Sequence, residues 1–298
     1  MPLSHFLLAL SVVFIWGTNF VVIKWGLDDF PPYLFSALRF LLSALPWVFL
    51  LRRPAVRWTA MAGFGTLLGV GQFGLLYWAM QRDITPGLAS LVVQSQVFFT
   101  ILMSMAISGE RPTRLQGVAL ALAVGGYGIV GWRSAYSADT AVTTLGLMLV
   151  LAAAFSWACA NILVRRVGRV NAVAFTAWSS LYAVLPISAI SLTVEGPALI
   201  VASLQQASWG GWASVGWQAI GNTIFGFGAW NWLLSRHPAA TVTPMALLVP
   251  VFGMLAAALL LAEALPAWKI CAAALVMAGL ILNFQASRMQ AARIRSRA

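Results

Sequence analysis

The chain is short of charge, and shortest of acid. Asp and Glu number seven and Lys and Arg eighteen in 298 residues, so 8% of the chain is charged while 61% is hydrophobic. A soluble domain of ordinary composition is about a quarter charged, and a soluble core of this size would be wrapped in charged faces, so that class is excluded. The few acids form no aspartate-rich pair able to hold Mg²⁺ on a diphosphate, and neither H-E-x-x-H nor G-x-S-x-G occurs. No catalytic residues are assigned, and the chain is not read as an enzyme. Cysteine and histidine are scarce too. Cys159 and Cys271 both fall inside apolar runs, which leaves a disulfide without support. His5 and His237 stand isolated, with no His, Cys or carboxylate at ligand spacing, so no metal site and no cofactor is expected.

Long apolar sequence is what the chain has in abundance. Runs at 5–25, 33–51, 58–81, 86–107, 114–132, 143–164, 171–194, 210–233, 241–261 and 266–284 each approach the roughly 20 residues that cross about 30 Å of hydrocarbon. The expectation is an all-α membrane protein with ten transmembrane helices. The first run has no basic start and no small-residue cleavage site, so it is read as a retained helix. A net charge of +11 would suggest nucleic acid in a soluble protein, but its distribution says otherwise. With the amino terminus inside, the inner joints and tail hold Arg52, Arg53, Arg57, Arg111, Arg114, Arg165, Arg166, Arg169, Arg236, Arg288, Arg293, Arg295 and Arg297, thirteen in all, against Lys24, Arg82, Arg133 and Lys269 outside. That bias orients spans during insertion. It predicts cytoplasmic termini and a lipid bilayer as partner, and it excludes a nucleic-acid partner; nothing requires an oligomer.

The half-chain is written twice. Trp16 and Asn19 answer to Trp157 and Asn161, Pro46 to Pro186, and Glu110 to Glu263; the offset grows from 141 (157 − 16) and 140 (186 − 46) to 153 (263 − 110). The extra residues are assigned to the stretch from Glu195 to Trp209, predicted as the largest outer loop. An odd number of spans per copy sets the two halves in opposite orientations, as in many secondary transporters. The units are expected at 1–135 and 141–285, followed by a basic tail at 286–298.

Two G-x-G-x-x-G matches, Gly69 to Gly74 and Gly126 to Gly131, lie inside long apolar spans rather than at a strand–turn–helix, so they are read as sites of close helix packing. Polar groups within spans carry more information, because each is costly in hydrocarbon unless it faces a partner or a cavity. Gln96, Thr100, Ser104 and Ser108 recur every four residues and form one stripe. Trp157 and Asn161 lie one turn apart, Trp16 and Asn19 nearly so; Asn222, Gly226 and Trp230 share a line with Asn231 beside it; Tyr77 and Trp78 close the third span. Each residue taken singly is as well explained by interhelical bonding or by filler packing. As a set they read as a pocket for a flat, partly apolar molecule with polar ends, lined by Trp16, Asn19, Tyr77, Trp78, Gln96, Thr100, Trp157, Asn161, Trp230 and Asn231. Arg39, about two turns into its span, is read either as a snorkelling side chain or as the partner of an anion or carboxylate. Glu110 and Glu263, at span ends, are expected to be structural, and Pro244 and Pro250 within one helix are the hinge signal.

Trp16-Gly17-Thr18-Asn19, Arg39, and Gly109-Glu110-Arg111-Pro112 followed by Gln116-Gly117, set on a duplicated five-span unit, resemble the EamA-type branch of the drug/metabolite transporter superfamily across essentially the whole chain. Length and tryptophan content are most similar to the YddG-type bacterial exporters of aromatic amino acids. The resemblance implies ten helices as two inverted five-helix repeats around a central cavity, a place in the bacterial inner membrane, and export of aromatic and other apolar amino acids by alternating access. Efflux of lipophilic cations, and an enzyme acting on lipid-linked substrates, are the alternatives. The second copy departs from the motif, with Ala262-Glu263-Ala264-Leu265 in place of Gly-Glu and Lys269 where Gln116 stands.

Overall fold

The computed structural model describes residues 1–108, 113–136, 141–168, 170–237 and 239–295. The motif from Gly109 to Pro112, with Glu110, lies outside the described residues. Among the described residues ten long helical runs follow one another: α1 (Leu3–Asp29), α2 (Pro32–Leu50), α3 (Trp58–Arg82), α4 (Pro86–Ile107), α5 (Arg114–Tyr136), α6 (Thr144–Val167), α7 (Ala172–Glu195), α8 (209–236), α9 (Thr243–Leu260) and α10 (Ala267–Met289). Among the described residues nine are long and apolar enough to cross a membrane. The exception is α8, which is long enough but buries Gln218, Asn222 and Thr223 along its length, so its composition falls short.

Helix starts follow from local chemistry. Pro32 and Pro86 open α2 and α4, where a missing N–H costs nothing. Thr143, Asn171 and Ser208 cap α6, α7 and α8 by accepting the N–H of Gly146, Ala174 and Gly211. The stretch expected as a loop between Glu195 and Trp209 is instead largely a short helix, Pro197–Gln206. Gly196 turns the chain at φ 81°, Pro197 supplies a preset first helical residue, and Ile200 packs on the main core while Leu199 and Val201 stay exposed. Loop length alone could not reveal that amphipathic piece.

The two copies pack about a two-fold axis. Helices α5 and α10 pair with each other, α2 and α7 do likewise, and the α1–α9 pairing is mirrored by α6–α4. At the α5–α10 crossing, a Cβ on Gly126 would meet the carbonyl oxygen of Ala272 at 2.8 Å, and one on Gly279 would meet that of Ala119 at 2.6 Å. Both glycines and both alanines are separated by the repeat offset, 279 − 126 = 272 − 119 = 153. Small residues let the backbones touch where lipid offers no hydrophobic drive. The copies also share an irregularity: α3 and α8 turn π-helical over Leu67–Gly74 and Trp217–Phe225, 150 residues apart (217 − 67). A π turn strands carbonyls, and neighbours supply donors: Ser156 Oγ to Leu67 O at 2.8 Å in one copy, Trp16 Nε1 to Asn222 O at 3.2 Å in the other. Such turns gather at functional sites. Helix α9 begins as a 3₁₀ turn, Thr243–Leu248, and becomes α-helical at Val249, with Pro244 and Pro250 each at the start of its segment.

Candidate functional site

Between the copies lies a cavity of about 530 Å³. Trp16, Asn19, Gln96, Trp157, Asn161 and Trp230 of the expected set are on its wall. They are joined by Gln72, Gln94, Asn222, Thr243 and Asn283, and by Phe20, Phe73, Phe227 and Phe284. The wall is thus made of aromatic rings and seven carboxamides, and among the described residues it carries no formal charge. Its lining runs from Ile23 and Leu76 down to Thr243 and Ser287, so it occupies the half of the bundle nearer the chain termini, called here the terminal end. The opposite, far half is filled by the main apolar core around Leu27, Phe30, Phe35, Met80 and Leu88.

The carboxamides are ordered by one another. Asn19 and Gln218 exchange two hydrogen bonds, Nε2 to Oδ1 at 2.8 Å and Nδ2 to Oε1 at 3.3 Å, pinning α1 to α8. Asn161 donates to Gln96 Oε1 at 3.0 Å, and Arg165 donates to Ser104 at 2.7 Å, so the stripe on α4 faces α6. Thr100 stands behind it, buried and bonded to the Gln96 carbonyl at 2.7 Å. Tyr77 and Trp78 are placed off the wall: Tyr77 is wholly buried against Arg39, and Trp78 packs beside the Tyr33 ring at 5.4 Å. The side chains of Asn231 and Ser108 lie outside the described residues. Gln72 was hidden inside a glycine-rich motif, where it reads as part of a packing segment; it is the π-segment counterpart of Asn222 (222 − 72 = 150). Gln94 sits where α4 is broken by a turn, and Asn283 has Val130 at the equivalent position (283 − 153 = 130), so the internal repeat gives it no partner.

Arg39 does not snorkel. It is 1% exposed; Nη1 donates to the Tyr77 hydroxyl at 2.9 Å and Nη2 to Thr223 Oγ1 at 3.0 Å, with the guanidinium 3.8 Å from the centre of the Phe73 ring. Its Nε and the Oγ of Ser179 have no hydrogen-bond partner among the described residues, and both residues border a chamber of about 10 Å³, room for one water. Leu68, Phe73 and Phe227 line both this chamber and the large cavity, so they form the wall between them.

Carboxylates tie the far end. Glu195 accepts the N–H groups of Tyr33 and Leu34 at 2.7 and 3.0 Å, Glu263 accepts Thr85 Oγ1 at 2.6 Å, Gly87 N at 2.9 Å and Lys269 Nζ at 3.0 Å, Asp29 accepts Ser208 Oγ at 2.6 Å, and Asp83 accepts Thr143 Oγ1 at 2.8 Å. Each acid sits at the first turn of a helix other than its own, where the helix dipole favours negative charge. At the terminal end His5 Nδ1 and His237 Nε2 are 2.7 Å apart. The two histidines, isolated in sequence, are therefore partners across 232 residues. Among the described residues no group of three or more His, Cys, Asp or Glu is placed to hold a metal.

The sequence pattern of the EamA-like transporter family matches residues 3–132 and 144–285. The chain belongs to this family. It is 41% identical over 280 residues to the probable amino-acid metabolite efflux pump of Salmonella typhimurium, with 93% of both chains covered, and 40% identical over 282 residues to the protein of the same description in Escherichia coli K12, again with 93% of each covered. A protein of known crystal structure, 20% identical, superposes with a TM-score of 0.61 over 97% of this chain and 99% of its own, which marks the shared fold alone. This EamA-type chain is accordingly a multi-pass membrane protein and an exporter of small-molecule metabolites; family and relatives point to transport rather than catalysis.

Proposed function

We propose that this EamA-type exporter carries aromatic and other apolar amino acids out of the cell by alternating access, through the cavity between its two copies. The observation that carries the reading is the wall itself, with Trp16, Trp157 and Trp230 among its rings and Asn19, Gln96 and Asn161 among its amides. Rings of this kind stack on a flat or branched apolar side chain, while amides hydrogen-bond both ends of a zwitterion. The description of the bacterial relatives as amino-acid metabolite pumps supports the class of cargo. Lipophilic cations are disfavoured, since the wall offers no carboxylate to pair with a buried positive charge. With the termini in the cytoplasm, as the positive-inside count predicts, the cavity is on the loading side.

The five described acids, Asp28, Asp29, Asp83, Glu195 and Glu263, all lie at helix ends on the far side, where none is placed to pick up and release a proton on alternate faces. Transport is therefore proposed to run chiefly down the solute's own gradient. A counterflow screen of the twenty amino acids in proteoliposomes is the test: uptake of Phe, Trp, Leu or Met above Lys, Glu and a lipophilic cation is expected, and exchange of the cation alone sinks the reading. An imposed pH gradient should add little net accumulation. Labelling of a cysteine at Ser203 but not at Ser287 by an impermeant reagent in intact cells is the expected topology, and the reverse pattern overturns it.

A further inference from the structure

A cation buried this deeply usually carries a carboxylate beside it, because an unpaired charge in low dielectric is expensive. Arg39 has none. Its partners are two hydroxyl oxygens and an aromatic face, which stabilise a guanidinium without cancelling its charge. Among the described residues the acids all sit at the far end, and the cavity wall is uncharged. Of the described residues, Arg39 therefore sets a buried charge with no carboxylate beside it directly behind the wall, its guanidinium 3.8 Å from the centre of a ring, Phe73, that is itself part of the wall.

We propose that Arg39 is the charge selector of the export cavity, admitting solutes that bear a carboxylate and turning away cations that lack one. This rests on the cavity being the solute path, and it narrows the substrate class from flat or apolar to carboxylate-bearing. A carboxylate lodged against Phe73 would stand roughly 8 Å from the guanidinium; at an effective dielectric near 20, attraction or repulsion at that range is worth roughly thirtyfold in affinity for each sign of charge. A zwitterion gains further by orientation, its carboxylate toward α2, α3 and α8 and its ammonium toward the amide oxygens of Gln96 and Asn161. The small chamber behind Phe73, with Arg39 Nε–H and Ser179 Oγ unpartnered among the described residues, leaves the guanidinium a donor in reserve, so the wall can change shape without stripping the charge of partners.

Binding to the purified full-length protein, read by its intrinsic tryptophan fluorescence, tests this with two solutes that share a ring and differ in charge, 3-phenylpropionate and phenethylamine. The wild type should prefer the carboxylate by about a thousandfold, the product of the two effects. Arg39→Lys should keep most of that ratio, and Arg39→Gln, if its melting profile shows it folded, should bring it near one. Should Arg39→Gln not fold, Phe73→Leu serves, because thinning the wall should widen the ratio. Equal binding of the two solutes to the wild type, a ratio that survives Arg39→Gln, or a ratio that Phe73→Leu leaves unchanged or lowers, overturns the selector. Counterflow of amino acids with no charge preference would remove the selector and leave the transport reading in place. A clear preference without amino-acid counterflow would do the opposite, and no binding of either solute counts against both.

Discussion

At the far end of the bundle, Glu195, Glu263, Asp29 and Asp83 reach across to the first turns of α2, α4, α8 and α6; among the described residues of the terminal end, Thr113 and Gln116 cap the start of α5, and Asn171 that of α7, from within. The repeat carries the contrast at one position and not at another. Asp29 answers to Arg169 (29 + 140 = 169), while Glu263 answers to Glu110. At the first position one copy thus has an acid, which a helix N-terminus attracts, and the other a base, which it repels; at the second both copies keep the acid. A cycle that exposes the cavity at the far end must break these carboxylate contacts.

The comparison breaks most severely at Glu263. Its partner Lys269 is more deeply buried still, with side chains 6% and 3% exposed, so Glu263→Ala leaves an unpaired ammonium and should cost about 3–5 kcal/mol, seen as a lowered melting temperature in detergent. The double variant with Lys269→Met should recover much of that, and a loss no smaller than the single variant's would show that the hydrogen bonds to Thr85 and Gly87, not the ion pair, hold the corner. Glu195→Ala frees two N–H groups at the start of α2 and should cost about 2 kcal/mol, while making a cysteine placed at Ser191 more reactive from the far side; unaltered reactivity would mean that the apolar core alone keeps that end shut.

Function should divide the ends in the opposite sense. Trp157→Ala or Asn161→Ala, on the cavity wall, should lower transport by tenfold or more at equal expression, whereas Trp268→Ala, at the far end beside Arg133 and Lys269, should change it less than threefold, on the order of 1.4 kcal/mol separating the two per factor of ten. Equal losses would reassign the wall residues to packing. The smallest effect is expected at the histidines. Desolvation, with the nearby charges of His5, the amino terminus and Arg236, lowers the pKa of His237 below its usual 6.5. A depressed pKa means that the unfolded chain binds the proton more tightly, so the contribution of the pair is whole above about pH 6.5 and is lost as the pH falls through the folded value. Melting temperature should therefore decline slightly between neutral and mildly acid pH, and His237→Gln should flatten that decline.

Much was legible from residues taken in order. Hydropathy over 20-residue windows, the positive-inside bias and the doubled Trp–Asn signature are local or additive properties, so the membrane class, the helices, the repeat and a good part of the wall could be read without coordinates. Polar residues in hydrocarbon were a sound guide for the same reason: each must be satisfied, and Gln96, Asn161 and Asn19 are. Tyr77 failed as a wall residue because its hydroxyl satisfies Arg39 from behind, and sequence spacing gives the face of a helix but not what stands opposite it.

Packing between distant segments decided the remainder. The sequence determined by itself that α3 and α8 are rich in glycine; only the fold turned both into π segments, set Gln72 and Asn222 on the cavity wall, and left Arg39 buried with hydroxyls and an aromatic ring for company. Likewise two lone histidines became a pair, and four acids at the ends of helices became clasps on other helices. In each case the partner is supplied by a helix far away in the chain, and the free energy that fixes the pairing exists only once both helices have been brought together.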